Sequence, residues 1–195
     1  ADDIVGTVAK KAEEEGFITY MMTPDKDYGQ LVTEKTFIYK PGRMGNPSEI
    51  MGMAEVCAKF EINNVSQVID LLGLWGDAVD NIPGIPGIGE KTAKKLLHEY
   101  HTLENILEHA DKIPGKLGEK IQQGKELALI SKQLATIILD VPVEYDFDAM
   151  EIQTPDAEKL KAIFSELEFR NFAKKVLGED LQVALPKTGQ FSLFG

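Results

Sequence analysis

The sequence contains one cysteine, Cys57, in 195 residues, which excludes a disulfide framework and a cysteine-rich zinc site. It has no apolar run of about eighteen residues, so no segment is predicted to span a membrane. Basic residues are also scarce, since 21 Lys and Arg stand against 32 Asp and Glu and give a net charge of -11. Such a chain is not expected to coat nucleic acid through bulk charge.

The remaining composition is that of an ordinary globular protein, with 43% hydrophobic and 27% charged residues. The length allows one domain or two small ones, each with a real core. The chain opens on Ala1 without a signal-peptide pattern, and its apolar residues follow helical spacing from Asp2 to Glu15. A helix that begins at the first residue leads us to expect a piece cut from a longer chain.

The first 74 residues alternate between helical and extended patterns, which predicts an α/β layer. Predicted strands cover residues 17–22 and 36–40, and predicted helices cover residues 2–15, 47–60 and 66–74, with Asn46 or Ser48 as the cap of the second helix. Residues 75–178 are predicted to form a mainly α-helical subdomain, apart from an extended stretch at 138–147. Residues 179–195 are predicted to be a linker or tail.

Three pairs of aspartates lie where a loop meets a regular element. Asp25 and Asp27 follow a predicted strand, and Asp77 and Asp80 are one helical turn apart. The third pair, Asp2 and Asp3, lies in a first helical turn. Carboxylates that converge need cations between them, and Mg²⁺ or Mn²⁺ prefers oxygen ligands of this kind. The alternative for any single pair is that its aspartates only cap helices or turns.

A glycine-rich loop, residues 84–89, precedes the predicted helix 90–100 and is called the hairpin below. Closely spaced glycines let backbone N–H groups approach an anion, and the positive end of the helix favours a phosphate. The alternative is an unusually tight turn between two helices. Neither a Walker loop nor a dinucleotide fingerprint matches. The candidate DNA-binding residues of this segment are Gly84, Gly87, Ile88, Gly89, Lys91, Thr92, Lys94 and Lys95.

Residues 76–93 read Gly-Asp-x-x-Asp-Asn-Ile-Pro-Gly-x-x-Gly-Ile-Gly-Glu-Lys-Thr-Ala. This pattern resembles the 5′-nuclease (5′-3′ exonuclease) domain family of bacterial DNA polymerase I, which is related to flap endonucleases. The similarity extends to residues 1–3, 23–31 and 134–142, and it covers most of the chain up to about residue 178.

The resemblance implies a partial PIN-like or resolvase-like sheet layer followed by a helix–three-turn–helix (helix-hairpin-helix) DNA-binding motif. It implies that Asp2, Asp3, Asp25, Asp27, Asp77 and Asp80 hold two Mg²⁺ or Mn²⁺ ions, directly or through water. It also implies a monovalent cation, K⁺, held by hairpin carbonyls beside a phosphate of duplex DNA. The implied activity is hydrolysis of a phosphodiester near a 5′ end or flap in DNA replication and repair, without a protein nucleophile.

Other residues that the family uses would precede Ala1, as would the central strand of its sheet. We therefore expect this chain to bind duplex DNA and to cleave it weakly or not at all. The expected location is the bacterial cytoplasm, in association with the nucleoid.

The tail contains Gln190, Leu193 and Phe194 in a pattern similar to the short peptides by which bacterial enzymes dock on the sliding clamp. Leu193 and Phe194 would fill an apolar pocket and Gln190 would bond at its rim. The alternative, slightly favoured, is an untethered linker.

Two other classes of function remain open from the residues alone. One is a non-catalytic helix-hairpin-helix module, in which the aspartates only cap helices. The other is a protein-interaction domain, in which the lysines of the helix 90–100 face solvent.

Overall fold

The computed structural model describes residues 1–42 and 45–178, and the chain forms two compact units, Ala1–Tyr145 and Asp146–Gly195. The first part of the first unit contains α1 (Asp2–Glu14), β1 (Thr19–Met22), a 3-10 helix (Asp27–Leu31), β2 (Thr36–Lys40), β3 (Glu49–Met51), α2 (Met53–Phe60) and α3 (Gln67–Trp75). Its second part contains α4 (Glu90–Tyr100), α5 (Leu103–Glu108), a 3-10 helix (Ala110–Lys112), α6 (Lys116–Gln123) and α7 (Lys125–Ala135).

The sheet has the strand order β1-β2-β3, with β1 and β2 parallel and β2 and β3 antiparallel. The helix predicted over 47–60 is wrong in its first half, because residues 49–51 form β3 and pair with β2. Neither Asn46 nor Ser48 caps α2; its N-cap is Gly52, whose amide donates to the Glu55 carboxylate at 2.9 Å. The short run Glu49–Met51 is extended because the neighbouring edge of β2 offers it ladder hydrogen bonds.

Helix α3 is the central element of the unit and packs against α4, α5 and α7. Its side chains Val68, Leu71, Leu72 and Leu74 are fully buried. They belong to one hydrophobic core that also includes residues of the sheet layer, such as Ile38 and Met51. The loop that begins after Trp75 therefore starts from a helix that packs into the core shared by the sheet layer and the helices.

An ion-pair network ties α3, α5 and α7 together. The Lys132 ammonium of α7 lies 2.6 Å from Asp70 Oδ1 on α3 and 2.7 Å from Glu104 Oε1 on α5. Asp70 is buried, so Lys132 supplies the positive charge that a buried carboxylate requires.

The second unit contains α8 (Ala157–Glu166) and α9 (Arg170–Leu177) among its described residues. Asp156 caps α8, and its carboxylate accepts from the Lys159 amide at 3.1 Å. No strand lies within 138–147 in the structure. In the described ranges, no helix has both the length and the apolar character needed to cross a membrane. The domain boundary between residues 74 and 75 stays a prediction.

Candidate functional site

Three of the six predicted metal-ligating aspartates come together after β1 and α3. Asp27 begins the 3-10 helix that follows β1, and Asp77 and Asp80 lie in the loop that follows α3. One carboxylate oxygen from each of the three lies within 4.8 Å of the other two. Asp27 and Asp77 are buried and Asp80 is exposed, so the carboxylate cluster (Asp27, Asp77 and Asp80) is open to solvent on one side.

Burial and mutual repulsion both act on Asp27. Desolvation, followed by the charges of Asp25 and Asp77, raises the pKa of the Asp27 carboxyl to about 6. Burial, followed by the charges of Asp77 and Asp25, likewise raises the pKa of Asp80. Among the described residues, the buried Asp27 Oδ1 accepts no hydrogen bond. An oxygen in this situation is suited to a cation ligand.

Lys26 supplies a positive charge to the carboxylate cluster. Its ammonium forms an ion pair with Asp77 Oδ2 and lies 5.7 Å from the centre of the Trp75 ring. Burial alone would raise the pKa of Asp77, but hydrogen bonds from Lys26 and the Val79 amide lower it below its usual value. Lys26 is not among the predicted site residues, although it stands between two of the predicted ligands, Asp25 and Asp27.

Asp25 lies close enough to raise the pKa values of Asp27 and Asp80 by its charge. Its Oδ1 atom accepts the Asp27 amide at 3.0 Å. Asp2 accepts a hydrogen bond of 3.0 Å from the Tyr28 hydroxyl. Asp3 Oδ1 accepts the backbone amide of residue 138 at 2.8 Å. Asp25 thus flanks the carboxylate cluster and Asp2 contacts the 3-10 helix that carries Asp27, whereas Asp3 bonds to a residue beyond α7. The role of these three aspartates as ligands stays a prediction.

Gln30 fixes the segment that carries Asp27 to the end of α7. Its side-chain amide donates to the carbonyl oxygens of Asp27 at 2.9 Å and Ala135 at 2.8 Å, and its oxygen accepts the Ile137 amide at 2.9 Å. The hollow beside Asp77 has a volume of about 520 Å³ and is also lined by Lys26 and Trp75.

The hairpin begins at the same loop as Asp77. Gly84 has a φ of 60°, and a Cβ atom there would come within 2.5 Å of the Gly76 nitrogen. Its amide donates to the buried hydroxyl of Ser131 on α7 at 2.9 Å. Glycine is therefore required at position 84 by the packing of the turn, and Ser131 is a further supporting residue that the sequence did not indicate.

Gly89 is the N-cap of α4, and a Cβ atom built there meets no atom within 4 Å. The backbone amides at the start of α4 are therefore accessible to an anion. Ile88 is buried and anchors the hairpin in the core.

The predicted lysines of α4 differ in their surroundings. Lys91 and Lys95 are exposed, and Thr92 is partly exposed. Lys94 is buried, and its ammonium pairs with Glu90 at 2.7 Å and Glu61 at 3.1 Å. Much of the positive charge of Lys94 is thus neutralised within the chain.

Lys120, on α6, reaches the hairpin from outside the predicted set. Its ammonium donates to the Gly87 carbonyl at 3.3 Å. The clamp-binding residues predicted in the tail, Gln190, Leu193 and Phe194, lie outside the described residues.

Two protein-family models match consecutive parts of the chain. Residues 1–61 match "5'-3' exonuclease, N-terminal resolvase-like domain", and residues 63–158 match "5'-3' exonuclease, C-terminal SAM fold". These matches confirm the predicted resolvase-like sheet layer followed by a mainly helical region. They favour the nuclease interpretation over a non-catalytic module and over a protein-interaction domain.

Among curated proteins, DNA polymerase I of Bacillus subtilis is 43% identical over 181 residues, 92% of this chain and 20% of the relative. The thermostable DNA polymerase I of Thermus filiformis is 42% identical over 171 residues, 87% of this chain and 20% of the relative. The chain thus spans about a fifth of the length of these relatives.

Among solved structures, T5 5′-exonuclease with bound zinc has a TM-score of 0.61 and 22% identity, over 69% of this chain and 48% of that one. The catalytic core of Rad2 with a DNA substrate has a TM-score of 0.55 and 17% identity, over 91% of this chain and 57% of that one. At these identities, the likeness is one of fold.

Proposed function

This chain belongs to the 5′-3′ exonuclease family, and on that premise we propose that it is the 5′-nuclease part of a bacterial DNA polymerase I. It binds duplex DNA near a 5′ end or flap, and the activity to which it contributes is metal-dependent hydrolysis of a phosphodiester in replication and repair. The observation that carries the proposal is the carboxylate cluster, two of whose members, Asp77 and Asp80, lie on the loop that leads into the hairpin.

The described residues fit a divalent cation with hard oxygen ligands. Asp27 Oδ1 is buried without a hydrogen-bond partner among the described residues, and the three carboxylates repel one another. Asp27, Asp77 and Asp80 would hold Mg²⁺ or Mn²⁺. When bound, such an ion stabilises the charge that develops on a phosphodiester during hydrolysis. The proposal also includes a second ion, which Asp2, Asp3 and Asp25 would help to hold.

The protein's own groups prepare this site. Asp25 and Gln30 hold the backbone of Asp27, and the Val79 amide orients Asp77 through a hydrogen bond of 3.0 Å. Lys26 offsets the repulsion between the acids. The accessible amides at Gly89 and the exposed Lys91 and Lys95 provide contacts for a phosphate backbone.

Metal binding is tested by titrating Mn²⁺ into the chain and into Asp77→Ala, with calorimetry as the measurement. The proposal expects saturable binding that Asp77→Ala weakens by at least about 10-fold, since each lost carboxylate ligand costs more than about 1.4 kcal/mol. Asp156→Ala, which removes a helix cap in the second unit, is the matched control. Equal affinities in all three proteins would contradict the metal centre.

Cleavage by these 195 residues alone is proposed to be weak. Only three carboxylates of the described residues share one cluster, and Lys26 already pairs with one of them. A 5′-flap duplex in Mg²⁺ is the substrate for the test. Efficient turnover that Asp77→Ala abolishes would refute weak cleavage while supporting the metal site.

DNA binding through the hairpin is tested with Gly89→Ala. The methyl group would stand in open space at the start of α4, where it meets no protein atom but obstructs a phosphate. We expect a folded protein whose affinity for duplex DNA falls about 10-fold, as measured by fluorescence anisotropy. An unchanged affinity for duplex DNA would show that the hairpin does not contact the DNA.

The finer assignments are proposed with the same function. A bacterial cytoplasm is proposed as the location because the relatives are bacterial, and association with the nucleoid would follow from the proposed DNA binding. Docking of residues 190–194 on a sliding clamp is tested with a tail peptide and purified clamp. K⁺ at the hairpin fits less well, because the Gly87 carbonyl already accepts from the Lys120 ammonium.

A further inference from the structure

Lys120 brings an ammonium group to the hairpin from a separate helix. It is exposed on α6, 33 residues along the chain from Gly87, and its Nζ donates to the Gly87 carbonyl at 3.3 Å. The contact depends on the missing side chain of Gly87, since a Cβ atom there would lie 2.5 Å from Nζ. Gly87 also has a φ of 80°, which favours glycine on conformational grounds.

The charge of Lys120 is available to a ligand. Its recorded partner is a neutral carbonyl, and no carboxylate of the described residues forms an ion pair with it. Lys94 is the opposite case, because Glu90 and Glu61 neutralise it. Lys120 therefore adds an uncompensated positive charge next to the turn that leads into α4.

The Gly87 carbonyl and the start of α4 lie two residues apart in the chain, with Gly89 as the N-cap. A phosphate bound at the α4 amides would meet an ammonium held beside them, and an ammonium has three donors, one of which is used by the carbonyl. A free monovalent cation at this carbonyl would compete with the ammonium for the same oxygen.

We propose that Lys120 is the built-in cation of the hairpin, which bridges the Gly87 carbonyl and a phosphate of the bound DNA strand. The chain then binds DNA without a free monovalent ion at this carbonyl. This inference rests on the proposed DNA binding and adds a residue that lies outside the glycine motif.

The test compares Lys120→Met with Lys116→Met, which removes an equal charge from an exposed residue one helical turn earlier on α6. Anisotropy of a labelled duplex is measured without divalent ions at several salt concentrations. Lys120→Met should weaken binding about 10-fold and lower the salt slope by about 0.9, the loss of one phosphate contact. Lys116→Met should change the affinity less than about threefold.

A second arm replaces K⁺ with tetramethylammonium at constant ionic strength. The unaltered chain and Lys120→Arg should bind DNA equally in both salts, because each carries its own cation at the Gly87 carbonyl. Lys120→Met should bind more tightly in K⁺, since the vacated oxygen accepts a small ion. Thermal unfolding checks that each variant is folded.

Three outcomes would overturn the inference. They are a preference of the unaltered chain for K⁺, equal effects of Lys120→Met and Lys116→Met, and absence of a K⁺ preference in Lys120→Met. If the unaltered chain does not bind duplex DNA at all, the proposed function fails and this inference fails with it.

Discussion

Burial of the Asp27 side chain disfavours its charged form, and the negative charges of neighbouring aspartates disfavour it further. Its pKa is raised to about 6 from an ordinary value of 3.8. In the metal-free chain, the group therefore favours the folded state at low pH. This contribution is present below the ordinary value and is lost as the pH rises through about 6.

The pH dependence yields a prediction for metal binding. Because the cation needs the carboxylate, Mn²⁺ affinity at pH 5 should be about 10-fold lower than at pH 7. Calorimetric titrations at the two pH values check this. In Asp27→Asn, the metal-free chain should also lose less stability between pH 5 and pH 7 than the unaltered chain does. Identical stability profiles of the two proteins would show that Asp27 ionises normally.

Individual residues also show which parts of the site the sequence reveals. Asp27, Asp77 and Asp80 are predictable because carboxylates at loop–element junctions form a recognisable pattern. Lys26, Ser131 and Lys120 are not, since their roles depend on contacts made across the fold. The neutralisation of Lys94 is hidden for the same reason, because Glu61 lies 33 residues away in the sequence.

Helices α3 and α7 approach closely and share charged and small residues at their contact. Gly73 faces Lys132, whose Cβ lies 3.0 Å from the position of a Cβ on the glycine. Lys132 in turn pairs with the buried Asp70. This contact holds the loop that carries Asp77 in place, because that loop follows α3 directly.

Removal of the charge in Lys132→Met should destabilise the chain by on the order of 3 kcal/mol, since it leaves Asp70 buried without a positive partner. Urea unfolding measures the loss. The double variant Asp70→Leu/Lys132→Met should be more stable than the single one, because neither charge remains buried. If Lys132→Met were as stable as the unaltered chain, the ion-pair network would not contribute to the stability of the fold.

The hairpin yields a second prediction at this scale. Gly84→Ala places a Cβ atom against the backbone of Gly76 and Trp75 at a left-handed φ, so it should cost more than about 2 kcal/mol. Gly89→Ala, at an extended N-cap in open space, should cost less than about 1 kcal/mol. Thermal and urea unfolding of both variants make the comparison. Equal losses of unfolding free energy in the two variants would show that a Cβ atom is accommodated as easily at position 84 as at position 89.

Most helices follow from apolar periodicity and local capping, both of which lie within a few neighbouring residues. The strand β3 does not, because its extended form depends on pairing with β2, which no local pattern encodes. The boundary between helix and strand at residue 52 is visible only in the folded chain, where Glu55 reaches back to the Gly52 amide.

At the scale of the whole molecule, β1 is an edge strand of the described sheet, and large apolar side chains surround it. Ile18 is 62% exposed and Tyr20 is 53% exposed. Among the described residues β1 has a strand partner on one side only, and such an edge with exposed apolar neighbours favours pairing between chains.

We therefore predict reversible self-association of this 195-residue chain that grows with concentration. Ile18→Lys should weaken it, because a charge at the end of the edge strand opposes pairing. Sedimentation velocity over a concentration series measures the effect, and Val79→Lys, at an exposed loop position far from any strand in sequence, is the control. Equal association of the two variants would place the contact elsewhere.

The carboxylate cluster draws Asp27 from the region that matches one family model and Asp77 and Asp80 from the region that matches the other. Neither region alone therefore carries the complete carboxylate cluster. A chimera that joins residues 1–61 to the corresponding second half of a distant relative would need carboxylates in place of Asp77 and Asp80, and a matching partner for Gln30 at the end of α7. Exchange of these regions between relatives is expected to preserve the carboxylate cluster only when both regions are exchanged together.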